Sequence, residues 1–319
     1  MRFIKELISD VKNKKELRTL DDSFVEKKIL VFLDYQSNLQ KKNGIKEKIS
    51  SSKNYEQFSK SREHDFLVKN VRAELRKIYG VFIKDTTSKK NLLNNISYTF
   101  ERDGKADFSV YDKLLSLHQS TAERKNHYIE IYKKIFSIIR SSKNTGNARN
   151  TEDTRDTVDT KDKESDKKVI LDLACGLNPL SSIYIKNYIE RYYASDISEE
   201  DCKFLREFFS KAKIPGEAFK ADLTDNSDIE KISKIRCDIC FLFKALDSLE
   251  RSQRNISGKL LGAIDAKYII VSFPSATISG KNKISSNKRF WFEKLVEKMN
   301  FKVVSFEIPN EKFYIMEKS

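Results

Sequence analysis

The chain has 319 residues, enough for two domains that each bury a core of their own. Its 61 Lys and Arg against 47 Asp and Glu leave a formal charge of +14, a balance that suits a polyanionic partner and equally suits well-solvated helix faces. No stretch approaches the ~20 consecutive apolar residues of a membrane helix, and Met1-Arg2-Phe3-Ile4-Lys5-Glu6 offers no apolar signal core, so a cytoplasmic protein without a membrane partner is expected.

From Met1 to about Leu117 the pattern is helical, with apolar residues such as Phe66, Val71, Leu75 and Tyr79 recurring at spacings of about four. A small all-α domain is expected over 1–117. Its basic residues include Lys60, Arg62, Lys69, Arg72, Arg76, Lys77, Lys84, Lys89 and Lys90, with Tyr55 and Phe58 nearby. Such a run reads either as a solvated face or as an RNA-docking face. In the segment His118 to Arg124, Ser120 and Glu123 have the spacing of a capping box. A helix is therefore expected from near Thr121, continuing through Tyr128, Tyr132, Ile135, Phe136 and Ile139 to about 140. Residues 141–168 hold almost no large apolar side chain and are expected to form a flexible insert.

From Val169 onward, strands and helices alternate. Strands are expected at Val169–Leu173, Tyr192–Asp196, Ala218–Lys220, Ile239–Phe243 and Tyr268–Phe273, with helices at Pro179–Ile189, Glu199–Lys211 and Lys288–Lys298. Phe301–Ile308 and Lys312–Met316 read as an antiparallel pair after the last helix. This βα alternation predicts an α/β domain over 169–319, a mostly parallel, Rossmann-like sheet of seven strands with helices on both faces. The terminal hairpin is the mark of the class I methyltransferase variant of that architecture. The four cysteines, Cys175, Cys202, Cys237 and Cys240, lie in apolar segments or a helix pattern and read as reduced core thiols. Cys237 and Cys240 lack a second ligand pair, so no metal is expected.

In a doubly wound sheet, ligands bind outside the carboxyl ends of the strands. There the first strand runs into Asp172-Leu173-Ala174-Cys175-Gly176-Leu177-Asn178-Pro179, with small residues at Ala174 and Gly176 and a helix start at Pro179. It lacks the third glycine of a dinucleotide fingerprint and suits a cofactor without a pyrophosphate, or else an ordinary tight turn. Asp196 ends the second strand, where a carboxylate can accept both ribose hydroxyls of a nucleoside. Asp222 follows the third, where it can receive an adenine amino group with Leu223 packed on the ring. Either Asp could instead cap a helix, but three such signals at successive strand ends are unlikely to coincide by chance.

Four ordered motifs over roughly two hundred residues resemble those of the 16S ribosomal RNA guanine-N7 methyltransferases that confer aminoglycoside resistance, and of their uncharacterised relatives. These are His118 to Arg124; Asp172 to Leu180, with Ala174 in place of a glycine; Phe241 to Leu246; and Ser272-Phe273-Pro274 with Ser279-Gly280-Lys281 and Trp291-Phe292-Glu293. The resemblance implies a class I enzyme that uses S-adenosyl-L-methionine. Arg124 on the helix of 118–140 would pair with the methionyl carboxylate. His118, Ser120, Thr121, Ala174, Gly176, Asp196, Asp222, Leu223, Phe243 and Gln253 would line the same cofactor. Lys244, Lys281, Lys283 and Lys288 are expected to contact RNA. Phe273, with Trp291, is the candidate to flank the target base, while the more ordinary reading of Trp291 is a core side chain.

Guanine N7 carries an in-plane lone pair, so no general base is expected and catalysis rests on positioning; Lys244 and Phe273 are the positioning candidates. The implied substrate is the decoding region of an assembled small ribosomal subunit, met by a monomer whose basic helical domain docks on RNA phosphates. The alternatives are a class I methyltransferase with another RNA or a protein substrate, and a non-enzymatic ribosome-binding factor with a vestigial cofactor site. The insert of 141–168 and the helical domain depart from the resistance enzymes.

Overall fold

The computed structural model describes residues 1–38, 44–76, 93, 108–143, 167–276 and 289–318. The chain divides into two compact units, Met1–Ile83 and Lys84–Ser319.

The N-terminal unit is helical: α1 (Ile4–Lys12), α2 (Asp22–Asn38), α3 (Ile45–Ser51), α4 (Tyr55–Ser59) and α5 (Arg62–Leu75). Asn54 caps α4 by accepting from Gln57 N–H, and Ser61 caps α5 by accepting from His64 N–H, each satisfying a donor that the first turn leaves unpaired. Leu67, Val71 and Leu75 of α5 are buried with Leu7 and Val11 of α1 and Val25 and Ile29 of α2. Phe66, expected on that buried face, points outward and meets Phe32 at its rim, because the buried stripe of α5 runs through 64, 67, 68, 71 and 75. Asp10 ties the helices together inside: its carboxylate accepts from Tyr55 and pairs with His64 Nε2 at 2.9 Å. Part of the expected basic face is paired within the unit, with Lys60 in an exposed surface pair. Arg72 donates to the carbonyls of Asp10 and Val11, Arg76 pairs with Glu16 at 2.7 Å, and Lys60 pairs with Glu56. Tyr79, Lys77, Lys84, Lys89 and Lys90 lie outside the described residues.

In the C-terminal unit α6 (Phe108–Leu115), α7 (Gln119–Arg124) and α8 (Tyr128–Lys143) precede the sheet. The strands are β1 (Lys168–Leu173), β2 (Ile189–Asp196), β3 (Gly216–Lys220), β4 (Cys237–Phe243), β5 (Ala266–Pro274), β6 (Lys302–Ile308) and β7 (Glu311–Glu317). Their order is β3-β2-β1-β4-β5-β7-β6, parallel throughout except for β7, which runs antiparallel between β5 and β6. Alternation along each strand sends Ile170, Tyr192, Ile239, Phe241, Ile270, Phe313 and Ile315 into one core, while Leu171, Cys240, Leu242, Ile269, Val271, Tyr314 and Met316 enter the other. The first core also takes in Tyr128, Ile131, Tyr132 and Ile135 of α8, which places that helix against the same sheet face.

Three local expectations change. The helix expected at Pro179–Ile189 is a run of tight 3-10 turns over Asn178–Tyr188, broken by non-helical angles at Ile185. Ser181 hydrogen-bonds back to the Asn178 carbonyl at 2.6 Å, an alternative partner that competes with regular helix. Helices α9 (Glu199–Lys211) and α13 (Phe290–Lys298) fall where expected, but α10 (Asn226–Ser233), α11 (Leu246–Ser252) and α12 (Ile256–Ala263) were not anticipated. Of the segment 141–168, residues 141–143 complete α8 and Lys168 opens β1, while 144–166 lie outside the described residues. No helix among the described residues is long and apolar enough to cross a membrane, and the four cysteines are buried free thiols.

Candidate functional site

The strands of the parallel part of the sheet end together, and the turn after β1 is stitched to the end of β2. Cys175 N–H donates to the Ser195 carbonyl at 3.0 Å and Gly176 N–H to Asp196 Oδ2 at 2.8 Å. The turn needs left-handed backbone at Ala174 (φ 48°) and Gly176 (φ 51°). For Ala174 the methyl makes this a strained conformation, on the order of 1 kcal/mol. At Gly176 the strain is avoided and space decides as well: a Cβ there would come within 3.2 Å of the His118 ring. The imidazole at the start of α7 therefore packs directly on the glycine turn.

Asp196 is buried, with Oδ1 accepting from Ser198 N–H at 3.1 Å and Oδ2 from Gly176. Burial, then the charge of Asp201, pushes its carboxyl up to about 6 against these hydrogen bonds. With the Ile197 N–H also acting on it, the carboxylate keeps acceptor capacity for a further donor. Asp222 accepts from both the N–H and the hydroxyl of Thr224, a short local cap, and Leu223 is buried beside it.

Arg124, at the end of α7, is 2% exposed. Its Nη1 donates to Asn178 Oδ1 at 2.7 Å, its Cζ lies 5.1 Å from the centroid of the Phe243 ring, and its Nε lies 3.2 Å from Glu311 Oε2. Those last two atoms attract as charges, yet neither has a hydrogen-bond partner, so the Arg124–Glu311 contact is an ion pair without an aligned bond. Asn178 also accepts from Tyr128 at 3.0 Å and passes its amide to Asp172 Oδ2 at 2.8 Å, which accepts from Tyr192 at 2.7 Å. Asp172 Oδ1 is buried without a partner, and burial pushes this carboxyl up to about 7.

Lys244 follows β4 with φ 56° and its side chain turns inward, 7% exposed. Its Nζ lies 2.6 Å from Glu123 Oε2 and 3.0 Å from Glu311 Oε2. Burial pulls the Glu123 carboxyl up, and the hydrogen bond and charge of Lys244 outweigh it, leaving Glu123 below its ordinary value. The expected capping box is consequently not formed. The helix starts at Gln119 after His118, Glu123 faces Lys244 and Gln119, and Thr121 Oγ1 bonds to the Leu115 and His118 carbonyls.

The structure thus gathers His118, Arg124, Ala174, Gly176, Asp196 and Phe243 at one rim, with Ser120 and Thr121 buried in α7 and Asp222 and Leu223 following β3. Gln253 is exposed at the end of α11. Phe273 is 1% exposed and enclosed by Trp291, Phe292 and Tyr314, so the ring expected to flank a base is a core side chain on the sheet face opposite Phe243. Lys244, expected to reach RNA, has its ammonium committed to two carboxylates within the protein. Lys281, Lys283 and Lys288 lie outside the described residues. Asn178 and Asp172 stood inside a quoted motif without a role, and Glu311 carried no sequence signal at all. The arrangement offers a deep guanidinium for a carboxylate, a glycine turn for close backbone approach and an acceptor carboxylate for hydroxyls.

The family model for ribosomal RNA methyltransferase (FmrO) matches residues 165–315. The chain is 26% identical to a 16S rRNA (guanine(1405)-N(7))-methyltransferase of Micromonospora rosea, over 79% of this chain and 82% of that protein. It is 23% identical to an enzyme of the same name from Proteus mirabilis, over 78% and 83%. Among solved structures, the 16S rRNA methyltransferase RmtF in complex with S-adenosyl-L-homocysteine matches with a TM-score of 0.70 at 21% identity, covering 100% of this chain and 99% of that one. The 16S rRNA methylase RmtB matches with a TM-score of 0.63 at 20% identity, covering 100% of both. At these identities the two structures speak to the fold, which they share across both units.

Proposed function

We propose, from the match of residues 165–315 to the family model for ribosomal RNA methyltransferase (FmrO), that the chain is an S-adenosyl-L-methionine-dependent methyltransferase acting on guanine N7 in the decoding region of small-subunit rRNA. The observation that carries the reading is the buried Arg124 guanidinium set beside the Gly176 turn and the Asp196 carboxylate, in a chain that matches this family model. The donor and acceptor set fits the cofactor. Arg124 would hold its carboxylate and Asp196 its ribose hydroxyls, with Asp222 and Leu223 at the adenine and His118 closing over the turn. When bound, the cofactor supplies an electrophilic methyl on a sulfonium.

The protein's own part is positioning. The N7 lone pair needs no base to free it, so the residues around the site have to align two reactants and exclude water. Arg124 is fixed by Asn178 and Glu311, and the turn is fixed by Asp196, which makes the cofactor end of the site rigid before binding. We assign RNA docking to the N-terminal helical unit and to Lys281, Lys283 and Lys288. The segment 141–168 is read as an insert that cofactor binding does not need. The protein is read as a cytoplasmic monomer.

Intact small subunits incubated with the protein and cofactor should gain 7-methylguanine, visible after reduction and aniline cleavage as a strand break that primer extension can place. Activity should be weak on short isolated hairpins and should fall steeply with salt, because phosphate contacts on a folded RNA surface carry the recognition. Modification of intact subunits only at adenine, or of protein alone, would defeat the reading.

A further inference from the structure

Glu311 belongs to no motif, yet it joins three elements that lie far apart in sequence. It opens β7, opposite Pro274 of β5, and is 1% exposed. One oxygen accepts from Ser272 Oγ at 2.5 Å, and the other lies 3.2 Å from Arg124 Nε and 3.0 Å from Lys244 Nζ. Lys244 in turn bridges to Glu123 on α7, the residue that precedes Arg124. Its backbone N–H donates to both the carbonyl and the hydroxyl of Ser272, at 3.0 and 3.1 Å. Ser272 therefore holds the chain of Lys244 and the carboxylate of Glu311 at once.

We propose that Glu311 and Lys244 are a positioning pair that aims Arg124, and that the work of Lys244 is inside the protein and not on RNA. This rests on the reading of Arg124 as the partner of the cofactor carboxylate. Glu311 Oε2 is shared between Arg124 Nε at 3.2 Å and Lys244 Nζ at 3.0 Å, so the ammonium acts as a tether that sets where the carboxylate, and with it the guanidinium, comes to rest. A non-glycine residue in left-handed backbone at the end of β4 is tolerated when its surroundings over-determine it, and here the conformation is what turns the Lys244 side chain inward. The cluster is balanced, with Arg124 and Lys244 against Glu311 and Glu123. Removing Glu311 leaves two buried cations beside one carboxylate, whereas removing Lys244 and Glu311 together keeps the balance and deletes the tether.

That difference separates charge balance from aiming. Melting temperature and the Kd for S-adenosylhomocysteine, read by calorimetry, are compared for the wild type, Glu311→Gln, and Lys244→Met with Glu311→Gln. Glu311→Gln should lose both melting temperature and at least tenfold in affinity. The double variant should regain most of the melting temperature while its affinity stays at least tenfold weak. Affinity that recovers in step with stability would reduce the pair to a charge neutraliser and overturn the proposal, as would a Glu311→Gln Kd within twofold of wild type. If Glu311→Gln fails to fold, the double variant alone carries the same comparison. Lys244→Met at saturating cofactor should leave the KM for intact subunits unchanged, and a severalfold rise would return Lys244 to the RNA surface. A wild-type protein that does not bind S-adenosylhomocysteine would instead overturn the reading of Arg124 itself, before any variant is compared.

Discussion

Replacing Arg124 by methionine should cost about a hundredfold in S-adenosylhomocysteine affinity and destabilise the fold by about 3 kcal/mol. The affinity loss follows from deleting a buried cation from its assigned carboxylate partner, where a charge-assisted bond is worth ~1.5–3 kcal/mol. The stability loss has a separate origin. Asn178 Oδ1 would lose its 2.7 Å donor, and Glu311 would remain buried with Lys244 as its one cation in the cluster. Losing one partner of a buried pair typically costs ~3–5 kcal/mol, and the retained Lys244 puts this case at the lower end. Arg124→Lys keeps the charge but not the planar fork, so it should recover much of the stability and little of the affinity. Thermal melts and titration calorimetry on the two variants test both halves. An Arg124→Met protein that binds as the wild type does would remove Arg124 from the site.

The second large effect is at Asp196, and it depends on pH. Asp196→Asn should weaken cofactor binding by ten- to a hundredfold at pH 8, because an amide offers two hydroxyls a poorer acceptor than a carboxylate. Burial pushes the Asp196 carboxyl from 3.8 up to about 6. Wild-type affinity should therefore fall as the pH drops through about 6 and the acceptor is protonated. Stability without ligand moves the other way. The folded protein takes up a proton between about pH 4 and 6 that the unfolded chain does not hold, so this group's contribution to stability increases on acidification across that window and is lowest above it. Asp172, pushed up to about 7, adds a second step of the same sign at higher pH. Asp196→Asn should delete the step near 6 in both profiles and leave the Asp172 step near 7 in the stability profile. A wild-type Kd that is flat from about pH 5 to 8 would reject the assignment.

Most of the sheet was legible because its signals are local. Runs such as Val169–Leu173 and Ile239–Phe243 are apolar throughout, as strands buried on both faces must be, and the hairpin Lys302–Glu317 declares itself by following the last helix. Helices that failed to register, such as Asn226–Ser233 and Leu246–Ser252, are only two turns long and present too short a stripe for periodicity to show. The site divides on the same principle. Arg124 and Gly176 stand in motifs and Asp196 ends a strand, and the structure brings them together. What could not be read was direction. Phe273 and Ser272 are neighbours on a strand, so one enters the apolar core while the other faces Glu311. Lys244 read as an RNA contact because its inward turn depends on a single left-handed backbone angle and on two carboxylates from elsewhere in the unit.

The terminal hairpin does not simply extend the sheet. β7, the later of its two strands, is the inner one, hydrogen-bonded to β5 on one side and β6 on the other, while the earlier β6 takes the outside edge. Glu311, at its start, is what Arg124 and Lys244 lean on. A growing chain therefore makes Arg124 and the Gly176 turn well before the carboxylate that pairs with that guanidinium. Until β7 has been made and slotted into place, the guanidinium of Arg124 has Asn178 and no carboxylate beside it. The setting of the Arg124 guanidinium is thus completed only when the hairpin closes on β5, after the parallel strands have been made.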